Sequence, residues 1–136
     1  MSRVLVVMGS ESDRPTMQRG VDVLAASDID VEVVVSSAHR DPESTAQLAR
    51  EAAGRGFDLV ICGAGLSAAL PGVVASHTHL PVIGVPISAG TLGGLDALLS
   101  IAQMPPGVPV ATVGIDNSRN AAHLALRILG RTAPAA

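Results

Sequence analysis

Short apolar runs alternate with amphipathic stretches along the chain. Five of the runs are rich in β-branched residues and are mostly apolar at successive positions, which is typical of strands buried in a parallel sheet. The pattern predicts strands at Arg3–Met8, Asp30–Val35, Asp58–Cys62, Pro81–Val85 and Val108–Ile115.

Apolar residues recur at helical spacing between and after these runs. The five predicted helices contain the segments Met17–Ala25, Leu48–Ala53, Leu66–His77, Gly94–Gln103 and Ala121–Leu129. Asp41-Pro42-Glu43 is a favourable helix start, because Asp caps the first turn, Pro needs no N–H partner there, and Glu meets the positive end of the helix dipole.

Five strand–helix units joined by short links predict a single α/β domain with a five-stranded parallel sheet between two helical layers. Right-handed crossovers make this a doubly wound, flavodoxin-like three-layer sandwich. We expect the domain to cover residues 1–131 and residues 132–136 to form a C-terminal tail.

Composition narrows the possible partners of the 136-residue chain. Aromatic residues make up 1% and the formal net charge is −3, so neither base-stacking platforms nor a basic surface for nucleic acid is expected. Charged residues make up only 15%, against 48% hydrophobic residues. This balance favours a homo-oligomer that buries apolar surface between subunits over an Ala- and Val-rich monomer.

The sequence also bears on cellular location, on the state of the single cysteine and on metal binding. The N-terminus does not resemble a secretory leader, and no uninterrupted apolar stretch reaches about 18 residues, so we expect a cytoplasmic protein without a membrane segment. Cys62 is alone and lies in an apolar run, which indicates a buried structural thiol. His77, His79 and His123 do not form a metal-ligand pattern, so no metal is expected.

In doubly wound sheets, ligands bind beyond the carboxyl ends of the strands. The first such loop contains Gly9, Ser10, Ser12 and Asp13. Its hydroxyls and backbone N–H groups could bind an anion such as phosphate, and the carboxylate could instead accept hydrogen bonds from ribose hydroxyls. Ser12 or Asp13 could equally serve only as a helix cap, and both interpretations stay open.

The second loop contains Ser37, Ala38, His39 and Arg40. Histidine titrates near neutrality and can act as a general acid or base, while arginine can clamp a phosphate or carboxylate through two parallel hydrogen bonds. The alternative is a surface pair in front of a helix. Because the pair follows a buried strand, we favour a catalytic role.

The third loop runs from Gly63 through Ala64 and Gly65 towards Ala69 and Leu70. Its glycines would let the backbone approach a ligand closely, or would simply allow a tight strand-to-helix turn. Further along, residues 86–96 form a loop long enough for a lid or a subunit contact, and residues 103–109 form an apolar segment suited to an interface or a pocket wall.

The assembled motifs closely resemble the N5-carboxyaminoimidazole ribonucleotide mutase family, also called the catalytic subunit of phosphoribosylaminoimidazole carboxylase. The resemblance runs from Val4 to Leu129. Its motifs are Met8–Asp13, Ser37–Arg40, Leu70–Gly72, Leu80–Pro86 and Gln103–Val113.

The resemblance implies a flavodoxin-like subunit in an octamer with active sites at subunit junctions. It implies transfer of CO2 from the exocyclic nitrogen to C4 of an aminoimidazole ribonucleotide, without a metal or organic cofactor. His39 would move the proton and Arg40 would contact the phosphate or carboxylate. The substrate-binding residues expected in this chain are Gly9, Ser10, Ser12, Asp13, Ser37, Ala38, Arg40, Gly63, Ala64, Gly65, Ala69 and Leu70.

One position departs from the family pattern. Bacterial mutases have a second histidine directly before Leu-Pro-Gly, where this chain has Ala69. The departure leaves open a relative with an altered substrate, a natural variant that tolerates the loss, and an engineered substitution. It also motivates an alternative function, a carboxylase or decarboxylase acting on aminoimidazole ribonucleotide or a related heterocycle. A binding protein that lost the chemistry is less consistent with His39 beside Arg40.

Overall fold

A computed structural model describes residues 1–131, and the predicted tail, residues 132–136, lies outside the described residues. The sheet is parallel, with the strand order β2-β1-β3-β4-β5. Its strands are β1 (Arg3–Met8), β2 (Asp30–Val35), β3 (Leu59–Gly65), β4 (Val82–Ile87) and β5 (Ala111–Thr112). This order confirms the predicted doubly wound, flavodoxin-like fold.

Five α-helices cover the sheet, and a short 3-10 turn, Glu11–Asp13, precedes the first of them. The helices are α1 (Arg14–Ala26), α2 (Pro42–Ala52), α3 (Leu70–His77), α4 (Leu95–Ala102) and α5 (Ser118–Ile128). None of the helices within residues 1–131 is long and apolar enough to cross a membrane.

The two faces of the sheet bury separate cores. Residues that alternate along β1 divide between them: Val4 and Val6 face α1 and α5, whereas Leu5 and Val7 face the layer of α2, α3 and α4. Cys62 belongs to the second core, where burial raises the pKa of its thiol and keeps it protonated. The predicted structural thiol is therefore confirmed.

Several predicted element boundaries were wrong. The predicted strand Val108–Ile115 is reduced to Ala111–Thr112, because Pro109 has no N–H for a sheet ladder and Asp116 turns the chain with a φ of +60°. The structure extends β3 as far as Gly65, so the predicted third loop is partly strand. β2 is partly exposed rather than buried, since it lies at the edge of the sheet.

The helix predicted to start at Leu66 starts instead at Leu70. Leu66 has a φ of +55°, in the left-handed region, and the N–H of Ala69 donates to the Ser67 carbonyl in a tight turn. The helix begins only where Pro71 can occupy its first turn.

Charged side chains surround Phe57, the one Phe of the chain, at the amino end of the sheet. The Arg3 guanidinium lies 4.3 Å from the centre of the Phe57 ring, and its Nε donates to the Asp30 carboxylate at 2.7 Å. The backbone N–H of Arg3 donates to the Asp58 carboxylate at 2.9 Å. These contacts join the starts of β1, β2 and β3 at the end of the sheet opposite the loops expected to bind a ligand.

Helices α1 and α5 touch through Gly20 and Ser118. The buried Ser118 hydroxyl donates to the Thr16 carbonyl and accepts from the Gly20 N–H at 3.1 Å. A Cβ on Gly20 would lie 2.5 Å from the Ser118 carbonyl oxygen, which is closer than van der Waals contact permits. The absence of a side chain at Gly20 therefore sets how closely the two helices pack.

We expect Gly20→Ala to lower the free energy of unfolding by about 1–3 kcal/mol, the usual cost of overpacking. In an unconstrained helix the same change would stabilise by about 0.5–1 kcal/mol, so the sign of the effect is diagnostic. Urea unfolding at a fixed protein concentration measures it. Gly54→Ala is the matched control, because its Cβ would meet only an ordinary contact at 3.6 Å. Equal or greater stability of Gly20→Ala would contradict the prediction.

Candidate active site

A cavity of about 460 Å³ lies at the carboxyl ends of β1, β2 and β3. The first three loops surround it, as the position of ligand sites in this fold predicts. It is lined by Gly9, Ser10, Ser12, Asp13, Ser37, Ala38, His39, Arg40, Ala64, Gly65, Leu66, Ser67, Ala68, Ala69, Leu70 and Ala89. Of the candidate site residues, Gly63 is the one that the lining does not include.

The first loop is organised by a capping box. The Ser10 hydroxyl accepts from the Ser12 N–H at 3.3 Å, and the Asp13 carboxylate accepts from the Ser10 N–H at 3.1 Å. The Ser10 and Ser12 hydroxyls lie 2.9 Å apart and form a hydrogen bond. Ser10 is therefore the cap of the 3-10 turn, and Asp13 completes its capping box without capping α1 through its side chain. The contacts occupy two N–H groups that could have bound an anion. Hydroxyls and a carboxylate remain as the polar groups that this loop offers to a ligand.

The Asp13 carboxyl group is partly buried beside the cavity. Desolvation raises its pKa above the ordinary value of 3.8, and the hydrogen bond from the Ser10 N–H partly opposes that rise. A desolvated carboxylate gains from neutral hydroxyl donors and repels an anionic group. The charge at Asp13 therefore suits a sugar hydroxyl better than a phosphate.

The second loop is tied to the sheet and to α2 through its backbone. The Ser36 N–H donates to the Met8 carbonyl at 2.9 Å, and the Asp41 N–H donates to the Ser37 carbonyl at 2.9 Å. Within residues 1–131, the side chains of His39 and Arg40 have no hydrogen bond or ion pair with the protein, and both residues are exposed. A ligand in the cavity would therefore not have to displace an internal partner of either side chain.

Gly63 lies inside β3 instead of on the cavity wall. A Cβ there would lie 2.4 Å from the Met17 sulfur and 3.1 Å from the Ile87 side chain, so packing accounts for this glycine. Its carbonyl accepts from the Gly9 N–H at 3.1 Å and fixes the start of the first loop. Gly65, in contrast, lies at the cavity, and a Cβ there would lie 3.1 Å from the Ile87 carbonyl oxygen.

The sequence interpretation missed Leu66, Ser67, Ala68 and Ala89 as lining residues. Leu66 is 54% exposed and adopts a left-handed conformation that is uncommon for a branched side chain and recurs at functional sites. Hydrophobic periodicity does not predict such a backbone conformation. The hydroxyl of Ser67, which follows a glycine-rich strand end, was the one signal available beforehand.

A second cavity, of about 670 Å³, lies at the amino ends of β4 and β5. His77 and His79 line it together with Arg50, which also pairs with Glu43. Residues 1–131 contain no group of three or more His, Cys, Asp or Glu side chains that could hold a metal ion.

Comparisons with known proteins identify the family of this chain. The sequence matches the family described as AIR carboxylase over residues 3–136. A Thermotoga maritima protein named N5-carboxyaminoimidazole ribonucleotide mutase is 54% identical over 96% of this chain and 76% of its own length. A protein of the same name from Mycobacterium tuberculosis is 57% identical, over 97% of this chain and 76% of its own.

A solved structure resembles the fold closely. The crystal structure of Treponema denticola PurE superposes with a TM-score of 0.84 at 30% sequence identity. The superposition covers 96% of this chain and 81% of that one.

Proposed function

This chain belongs to the AIR carboxylase family, and we propose that it isomerises N5-carboxyaminoimidazole ribonucleotide in de novo purine synthesis. The observation that carries the proposal is one cavity lined by His39, Arg40, Ser12 and Asp13 in a chain 54–57% identical to relatives named for this reaction. No finding favours the alternative of a direct carboxylase or decarboxylase.

The reaction moves one carboxyl group and one proton. The bond between the exocyclic nitrogen and the carboxyl carbon breaks, its electrons stay on nitrogen, and nitrogen takes up a proton. C4 of the imidazole then attacks the released CO2 and forms a carbon–carbon bond. Loss of the C4 proton restores the aromatic ring, so a single group that gives and then takes a proton balances both steps.

We assign that proton transfer to His39. Its side chain reaches the cavity from a loop whose backbone is held by hydrogen bonds, while the imidazole itself keeps both nitrogens available. An imidazole can donate and accept near neutral pH without a metal or organic cofactor.

The remaining polar groups divide between the parts of the ribonucleotide. The partly buried Asp13 carboxylate would accept hydrogen bonds from the ribose hydroxyls, and the exposed Arg40 guanidinium would clamp the phosphate or the migrating carboxylate. The Ser10 and Ser12 hydroxyls, which lie beside Asp13, would complete the ribose-phosphate site.

We expect His39→Asn to lower kcat by at least about 10²–10⁴-fold, since the amide retains hydrogen bonding but cannot transfer a proton. Binding of the ribonucleotide should stay within about threefold of the wild type. Conversion of N5-carboxyaminoimidazole ribonucleotide and equilibrium binding measure the two effects. His123→Asn, in α5, is the matched control. Near-normal turnover by His39→Asn would refute the role of His39.

Ala69 reaches the cavity at the residue before α3 and offers only a methyl group. CO2 is small and neutral, so the shape and polarity of the cavity must retain it beside C4. An imidazole at this position would fill space near Ala64 and Gly65 and could donate a hydrogen bond as the new carboxylate gains charge. We propose that, in the wild-type chain, part of the CO2 released from nitrogen leaves the cavity before C4 attacks it. This escape would appear as a lyase side reaction.

We expect Ala69→His to raise kcat by about tenfold or more, because one donor aimed at developing charge is worth about 10²–10³ in kcat. Release of CO2 should fall at the same time. Ala69→Phe is the control, since it fills the volume without a donor. If Ala69→His leaves turnover unchanged or lowers it, histidine is not the missing group and a bulkier substrate becomes the better explanation.

We also propose that the chain forms a cytoplasmic homo-oligomer, with eight subunits as the resemblance implies. Large apolar side chains are exposed along α4 and the loop before it: Leu92 is 60%, Leu95 49% and Leu99 51% exposed. Monomeric proteins rarely leave such neighbouring apolar side chains in water. Burial of this face between subunits would remove it from solvent.

Light scattering at micromolar concentration is expected to give a mass of about eight subunits, each of 13.7 kDa. Leu95→Glu should shift the mass towards smaller species, because it places a charge in the proposed contact. Gln47→Glu, on an exposed part of α2, is the control. A wild-type monomer would contradict the proposal.

A further inference from the structure

The loop that carries His39 is closed by a buried pair of hydroxyl groups. Ser36 directly follows β2 and Thr45 lies in the first turn of α2, and their side-chain oxygens are 2.6 Å apart. Thr45 is 0% exposed and Ser36 is 8% exposed. Buried hydroxyls need hydrogen-bond partners, and Thr45 supplies the partner of the Ser36 hydroxyl.

Counting protons gives the direction of these bonds. The Thr45 hydroxyl has one proton, which it donates to the Asp41 carbonyl at 3.1 Å. The short contact with Ser36 then requires Ser36 to donate and Thr45 to accept. The resulting chain, Ser36 to Thr45 to Asp41, joins the end of β2 to the residue that caps α2.

This chain spans the segment in which His39 lies. Inside it, Ser37 accepts the Arg40 N–H at 3.2 Å through its hydroxyl and the Asp41 N–H at 2.9 Å through its carbonyl. Within residues 1–131 the His39 imidazole has no hydrogen bond, so its position follows the backbone of the loop rather than a side-chain partner. The hydroxyl pair is the buried anchor of that backbone.

We propose that Ser36 and Thr45 are positioning residues for proton transfer by His39, an inference that rests on the function proposed above. Proton transfer is sensitive to displacements of about 1 Å, which can cost as much as 10²-fold in rate. The long Arg40 side chain can follow a small shift of the loop and still reach an anion. Loss of the pair should therefore lower kcat and leave KM nearly unchanged.

The main variant is Thr45→Val, which keeps the shape and removes the hydroxyl. We expect kcat to fall by about tenfold and KM to stay within about threefold. Thr45→Ser keeps the hydroxyl and should hold kcat within about threefold of the wild type. Ser27→Ala is the matched control: its hydroxyl is also largely buried and donates to the Val23 carbonyl at 2.8 Å, away from the cavity, so kcat should not change.

A second measurement does not depend on activity. Amide hydrogen exchange of residues 37–41, followed in the complete chain, should be at least about tenfold faster in Thr45→Val than in the wild type and Thr45→Ser. Should Thr45→Val fail to fold, Ser36→Ala replaces it, because Thr45 then keeps its bond to Asp41. Faster exchange together with a kcat loss supports the proposal when a hydroxyl-bearing variant at the same position, Thr45→Ser or Ser36→Thr, restores kcat, and every other combination overturns it.

The two proposals fail differently. If the wild-type protein does not convert N5-carboxyaminoimidazole ribonucleotide, the proposed function is wrong. The exchange measurement still decides whether the hydroxyl pair holds the loop.

Discussion

Burial of β1, an interior strand of the sheet, on both of its faces is the constraint on which the rest of this structure depends. All residues from Val4 to Met8 are buried, and alternate side chains feed two separate cores. A strand without an exposed face needs a helical layer on each side. In the resulting parallel sheet, the carboxyl ends of all strands lie at the same edge. The cavity results from that arrangement, because the loops after β1, β2 and β3 all leave the sheet at this edge and surround it.

The backbone of the first two loops around the cavity is held by side-chain caps. Capping interactions of Ser10, Asp13 and Asp41 fix the backbone where strands turn into helices. The groups with the chemistry, His39 and Arg40, are left without internal partners among residues 1–131. Rigid backbone with unengaged side chains is the arrangement that a site needs when its geometry must exist before the substrate arrives.

Hydrophobic periodicity predicted most of the fold, because the strands of a parallel sheet buried on both faces have continuous apolar runs in their sequence. β1 and β2 begin and end where the pattern placed them. The pattern failed at β5, where Pro109 interrupts an apolar run, and at Leu66, whose left-handed backbone delays α3. Among the candidate site residues, Gly63 resembled a glycine that faces a ligand, but the absence of a side chain there makes room for the Met17 sulfur. Hydrophobic periodicity does not reveal packing of this kind.

The lone aromatic ring under Arg3 has a spectroscopic consequence. With one Phe and neither Trp nor Tyr, the protein is nearly transparent where aminoimidazoles and other heterocycles absorb in the near ultraviolet. A bound or reacting nucleotide can therefore be observed directly at protein concentrations that would mask it in most enzymes. The Phe57 ring, which lies near the guanidinium groups of Arg3 and Arg55, supplies the single phenylalanine NMR probe, at the opposite end of the sheet.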